Sequence, residues 1–181
     1  MNAHAIPVLH TDRLILRGHQ RADLQDCVAL WSNPAVTRYI GGRAFTTEEV
    51  WSRILRYVGH WSLLSYGYWL VSERSSGAFA GEVGFADFER DLSPSLGKAP
   101  EAGWIIAPDA RRKGYASEAI VAAHAWINDV YGASRTVCMI DHDNAISQQI
   151  ARKHGYGVWS ETSYHGTPVR LYERSVMLPK P

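Results

Sequence analysis

The chain has 181 residues, enough for one hydrophobic core and short for two, so a single domain over residues 1–181 is expected. Apolar residues make up 46% and charged residues 20%, with a formal net charge of +1, which argues against a disordered chain, a strongly basic nucleic-acid binder or a partner chosen by bulk charge. Cys27 and Cys138 fall in stretches that read as helix and buried strand, no apolar stretch is long enough to span a membrane, and residues 1–10 lack a basic segment followed by an apolar run. The expectation is a cytoplasmic protein with reduced cysteines and neither a membrane nor a nucleic-acid partner.

In chain order, Ile6-Pro7-Val8-Leu9 leads into Thr11–Arg17, where apolar and charged residues alternate as in a half-buried strand. Asp23 is placed to cap a helix carrying Leu24, Cys27, Val28 and Trp31, which Asn33-Pro34 ends or redirects. After Gly41-Gly42, Thr46 or Thr47 caps a second helix with Glu48 and Glu49 in its first turn and a stripe of Val50, Ile54, Tyr57, Val58 and Trp61. Two strands follow, near residues 67–72 and 78–88, and then a Pro/Ser/Gly-rich surface loop over residues 91–100.

A strand over residues 101–107 runs through a basic turn into a long helix, residues 113–130, with Ala116, Ala119, Ile120, Ala123, Ile127 and Val130 on one face. Residues 136–140 are apolar on both faces, as in a central strand covered on each side. A helix over residues 145–154 stops at Gly155, and two strands near residues 157–164 and 169–177 close a mixed α/β chain. Trp51, Trp61 and Trp126 lie on apolar stripes and read as core.

The sharpest local pattern is Arg111-Arg112-Lys113-Gly114-Tyr115-Ala116-Ser117, between a buried strand and a helix. Backbone N–H groups at a helix start carry partial positive charge, Gly114 and Ala116 remove bulk that would hold a diphosphate away, and three cations stand at the mouth. Neither a Gly-x-x-x-x-Gly-Lys-Ser/Thr loop nor a dinucleotide glycine pattern occurs. His142 and His154 lack ligand spacing with any cysteine pair and no His-Glu-x-x-His is present, so no metal is expected. No Gly-x-Ser-x-Gly elbow suggests a serine hydrolase.

The Arg-x-x-Gly-x-Ala run at Arg111, Gly114 and Ala116 resembles the acetyl-CoA motif of the GNAT superfamily. Asn144-Ala145-Ile146-Ser147, followed by Gly155-Tyr156, resembles its second motif, and Thr11-Asp12-Arg13-Leu14-Ile15-Leu16-Arg17 is similar to the opening of its RimJ/RimL-type branch. The segments Trp31–Gly42, Gly81–Phe85 and Glu101–Trp104 are also similar to that branch, so the likeness covers nearly the whole chain.

The resemblance implies a mostly antiparallel central sheet of about seven strands with helices on both faces and a V-shaped splay between two central strands. It implies direct acetyl transfer from acetyl-CoA to a primary amine, either a protein N-terminus or a small molecule, by a monomer or homodimer. A non-catalytic acyl-CoA sensor is the alternative. By the same resemblance, the main chain of Trp104, Ile105 and Ile106 holds the pantetheine arm and the carbonyl, and Arg111, Arg112, Lys113, Gly114, Tyr115, Ala116 and Ser117 hold the diphosphate. Asn144 and Ser147 face the thioester; Ser147 is the candidate acid, because the position where many relatives carry a tyrosine is Ala151 here. Glu101 and Glu82 are the candidate bases, with partial burial expected to raise their pKa values. Trp31, Tyr39, Glu82, Phe85 and Tyr164 are the candidate acceptor-binding residues.

Overall fold

A computed structural model describes residues 6–177. The elements are β1 (Leu9–His10), β2 (Leu14–Arg17), α1 (Leu24–Trp31), α2 (Pro34–Thr37), α3 (Thr47–Leu64), β3 (Tyr68–Glu73), β4 (Phe79–Ala86), β5 (Glu101–Ile106), α4 (Tyr115–Asp129), β6 (Arg135–Asp141), α5 (Ala145–Lys153), β7 (Gly157–Tyr164) and β8 (Thr167–Ser175). Eight strands form one sheet in the order β1-β2-β3-β4-β5-β6-β8-β7, one more than expected, because the chain breaks at residues 11–13 and Leu9 and His10 pair back on Leu16 and Ile15. Among the described residues, no helix is long and apolar enough to cross a membrane.

Capping accounts for most helix boundaries. Thr46 accepts the Glu49 N–H while Glu49 takes the Thr46 N–H, a reciprocal cap that fixes the start of α3. Asn33 accepts the Ala35 N–H and begins the short α2 instead of simply ending α1. Asp23 stands at the N-cap of α1 but makes no cap bond; its carboxylate is taken by Arg17 and the Gln20 N–H. In α3, Val50, Ile54, Tyr57 and Trp61 are buried as the stripe predicts, but Val58 is exposed and His60 takes the inward place. Val130 likewise lies past the end of α4 and is exposed.

The helices cover opposite faces of the sheet. One face carries Leu70 and Ile105 against α1 and α3; the other carries Trp69, Val83, Phe85 and Cys138 against α4. Trp61, Trp69 and Trp126 meet edge to face at 4.7, 5.2 and 5.3 Å, which confirms Trp61 and Trp126 as core. Both cysteines are buried and free.

Two irregularities shape the centre. β4 carries a bulge, because Val71 pairs with Gly81 and the next pair is Ser72 with Phe79, leaving Ala80 over. Gly81 has φ 147°, and a Cβ there would lie 2.1 Å from the Ile105 carbonyl oxygen. Gly81→Ala is therefore expected to cost about 3 kcal/mol of stability, read as a lower urea midpoint at unchanged m. The second irregularity is the predicted splay. β5 and β6 run parallel but share only the Glu101–Val137 register before they part.

Candidate active site

Strand alternation decides what the splay offers. Val137 N–H bonds the Pro100 carbonyl on the β6 side, and Ala107 N–H bonds Ala80 on the β4 side. Between them, successive residues alternate. The main-chain groups of Trp104 and Ile106 therefore face the opened gap with no ladder partner on β6, whereas those of Ile105 face β4. Ile105 reaches the cleft through its side chain alone, a correction to the expectation that all three residues present main chain there.

From Ile106 the chain passes through a single turn, residues 108–110, into the basic loop. Arg112 and Gly114 adopt positive φ, 62° and 81°, and Gly114 is the N-cap of α4. The first intrahelical bond is Glu118 N–H to the Gly114 carbonyl, so the N–H groups of Gly114, Tyr115, Ala116 and Ser117 are left over at the helix start. The side chains are less free than their charges suggest. Lys113 Nζ is paired with Glu73 at 2.9 Å, and Tyr115 Oη donates to the same carboxylate at 3.0 Å, which holds Glu73 well below the usual carboxylate range, at about 2. Arg111 reaches back to the Ile106 and Ala35 carbonyls, and Ser117 Oγ accepts from Lys153. Only Arg112 of the three cations has no partner among the described residues, and of the three only Lys113 is paired with a carboxylate.

The loop is braced from the N-terminal strand. Glu118 accepts from Thr11 Oγ1 at 2.6 Å, from Arg13 N–H at 2.9 Å and from Arg13 Nε at 2.7 Å, while Arg13 Nη1 donates to the Lys113 carbonyl at 2.8 Å. The Thr-x-Arg opening thus has a physical task, which is to fix the start of α4.

Across the gap, Asn144 caps α5 by accepting the Ser147 N–H at 3.1 Å, and both residues line a cleft of about 960 Å³. The cleft also takes in Trp104 and Ile105 from β5, Glu101, and Trp31, Tyr39 and Tyr164, three of the predicted acceptor residues. Phe85 is not among them. It lies 1% exposed on the opposite face of the sheet, 5.5 Å edge-on to His124 of α4, because its place in the β4 alternation is one off from Glu82 and Gly84.

The two carboxylates differ sharply. Glu101 is at the cleft, with both oxygens taken by Arg90 at 2.7 and 2.8 Å. Glu82 is 0% exposed and does not reach the cleft, which removes it as a direct acceptor contact. His19 Nε2 lies 3.2 Å from its Oε1, Cys27 Sγ donates to the same oxygen at 3.5 Å, and Trp31 Nε1 and Tyr57 Oη donate to Oε2 at 3.1 and 3.3 Å. Burial alone pushes the Glu82 carboxyl up, but the His19 bond and charge, the Arg53 charge and the Trp31 N–H together bring it below the usual value, opposite to the expected rise. The same cluster gathers His19, Cys27 and Glu82 ligand-type atoms within 4.8 Å, a convergence that spacing along the chain did not reveal. Burial and then the Glu82 charge push the Cys27 thiol well up, so its sulfur serves the carboxylate as a donor.

A family model for the GNAT acetyltransferase domain matches residues 13–157. The chain belongs to the GNAT acetyltransferase family. It is 30% identical over 179 residues, 96% of this chain and 98% of the relative, to the uncharacterized N-acetyltransferase YoaA of Bacillus subtilis. A solved putative GNAT-family acetyltransferase from Bordetella pertussis is 29% identical with a TM-score of 0.83, covering 93% of this chain and 99% of that one. Spermidine N-acetyltransferase from Vibrio cholerae, solved with CoA and spermine, shares the fold at 16% identity and a TM-score of 0.72, covering 91% and 96%.

In this GNAT acetyltransferase, several cleft residues escaped the sequence reading. Tyr57 and Tyr68, stacked at 4.5 Å, and Arg53 and Arg56 of α3 all line it. Tyr57 looked like one member of an apolar stripe, and its hydroxyl gave no signal along the chain. The tyrosine after Gly155 is also accounted for. Tyr156 Oη sits between His124 Nε2 and Thr136 Oγ1 at 2.7 and 2.8 Å, sealed away from the cleft, and Ala151 is fully buried.

Proposed function

We infer that the chain transfers an acetyl group from acetyl-CoA directly to a primary amine through a ternary complex. The observation that carries this reading is that β5 parts from β6 after one register and leads, through the turn at residues 108–110 and the basic loop, to a glycine-capped helix start with four unused N–H groups. A diphosphate docks at such a start, and the pantetheine arm then runs along the gap toward the cleft. Acetyl-CoA brings the activated acyl group. The protein binds, orients and manages protons.

In this reading the N–H of Trp104 or Ile106 donates to the developing oxyanion, so side-chain identity at residue 106 matters little. Glu101, already engaged by Arg90, draws the amine to the cleft, and water carries the amine proton away; Glu82 supports Trp31 and Tyr57 from beneath. Asn144 and Ser147 order a water that protonates the leaving thiolate. Ser147→Ala and Asn144→Ala are each expected to lower kcat about tenfold with little change in the KM for acetyl-CoA, and unchanged kcat in both would remove them from this role. The opening Thr11–Arg17 run supports membership of the RimJ/RimL-like branch.

The test is a pair of measurements on purified protein: calorimetry with CoA, and thiol release from acetyl-CoA across an amine panel. Binding with turnover supports the transferase. Binding without turnover on any amine favours an acyl-CoA sensor, and no binding at millimolar ligand overturns both.

A further inference from the structure

The acceptor side of the cleft holds two cations that no carboxylate contacts directly, although the charge of Arg53 is felt by the buried Glu82. Arg53 and Arg56 are three residues apart on α3, hence neighbours on one face, and both line the cleft. Among the described residues neither forms an ion pair. The acids at the cleft have other partners: Glu101 is paired with Arg90 and Glu89 with Lys98, Asp87 and Asp141 accept the N–H groups of Glu89 and Asp143, and Glu82 is held by Trp31 and Tyr57 beneath. Glu48 and Glu49 share a neighbouring groove with both arginines, and Glu49 is paired with Arg43.

Arg53 is held ready. Its guanidinium lies 3.8 Å over the Trp31 ring and 5.0 Å from Phe45, and one nitrogen donates to Tyr57 Oη at 3.3 Å. Its Nε is buried with no partner. Arg56 is exposed and lies 5.0 Å over Phe88, where partial desolvation and the like charge of Arg53 hold its guanidinium below its ordinary value. The buried Arg53 Nε has no acceptor and the exposed Arg56 stands beside it at the cleft, so a bound anion supplies Arg53 with the missing acceptor and gives both guanidiniums a facing charge.

We propose that the acceptor is an amine that also bears an anionic group, a carboxylate or a phosphate, and that Arg53 and Arg56 hold this group while the amine lies at the splay. The proposal rests on the transferase reading above. It selects against a purely cationic polyamine, which would add positive charge beside two guanidiniums that no carboxylate contacts directly. Planar guanidiniums suit both oxyanions, so the shared chemistry is defined and the source of the anion is left to measurement.

The experiment pairs acceptors that differ only in the anion: an amino acid with its amide, phosphoethanolamine with ethanolamine, and spermidine as the cationic control, each compared per deprotonated amine. The anionic member of at least one pair is expected to show about tenfold or greater kcat/KM, and Arg53→Gln and Arg56→Gln are expected to bring that ratio toward one. The pair that shows the preference identifies carboxylate or phosphate. Thermal melts and CoA affinity check the variants, and Arg56, at the surface, remains informative if Arg53→Gln fails to fold. Calorimetry of N-acetyl amino acid against its amide on CoA-loaded protein gives the same comparison without turnover. If amines are acetylated with no anionic preference, or the preference survives both variants, the anion site falls and the transferase stands. If no amine is acetylated but the calorimetric discrimination persists and is lost in the variants, the anion site stands and the transferase reading falls.

Discussion

Replacing Ala116 with Glu is expected to raise the KM for acetyl-CoA about a hundredfold, equivalent to about 3 kcal/mol, while the protein stays folded. Residue 116 is in the first turn of α4, among the N–H groups that precede the first intrahelical bond. A carboxylate there takes those N–H groups and the helix-start potential for itself and repels a diphosphate. The same charge is favourable to the helix, since acidic residues in a first turn stabilise it by about 0.3–1 kcal/mol. Lost binding in a variant that melts no lower than the parent therefore cannot be attributed to unfolding. A KM within threefold of the parent would mean that the diphosphate is held elsewhere.

The second large effect is on stability. Glu82→Ala leaves His19, Trp31 and Tyr57 without the acceptor they share and opens a void beneath the cleft, with an expected loss of about 3–5 kcal/mol in denaturant unfolding. Because Trp31 and Tyr57 line the cleft, turnover should fall in the same variant. A pH series separates the charge from the shape. The folded-state pKa of Glu82 is depressed below 4.5, so its contribution is fully present above 4.5 and is lost as pH falls through the folded value. Glu82→Gln keeps the outline of the side chain and removes that titration, so its stability should depend less steeply on pH on the acid side than the parent's. Equal slopes in parent and variant would show that the buried charge is not what holds α1 and α3 to β4.

The glycine-capped start of α4 was legible because its signals are local. A helix start, a glycine that tolerates positive φ and a small residue one turn in are consecutive along the chain, and Arg111, Gly114 and Ala116 carry the pattern without help from distant residues. The same holds for the reciprocal Thr46–Glu49 cap and for Asn144, whose cap partner is three residues away. The cleft was only partly legible. Trp31, Tyr39 and Tyr164 were found, but Phe85 was misplaced, because a strand apolar on both faces gives no sign of which face meets the helix and which meets the cleft.

Charge partners were the least legible. Lys113 reads in the sequence as one of three cations at the mouth, and Glu73, 40 residues earlier, pairs with it in the fold. Arg53 and Arg56 carry no signal of a site in the sequence, and Glu82 reads there as a carboxylate whose pKa rises. The sequence by itself determined the α/β class, the order of the longer elements, the cap at Thr46 and the glycine-led turn before α4, since each depends on residues within a turn or two of one another. The tertiary structure alone decided which carboxylate is sealed, which arginines no carboxylate contacts directly and at which residue β5 leaves β6. Those are questions of burial and of pairing across tens of residues, and solvation and Coulomb energy are set by neighbours in space.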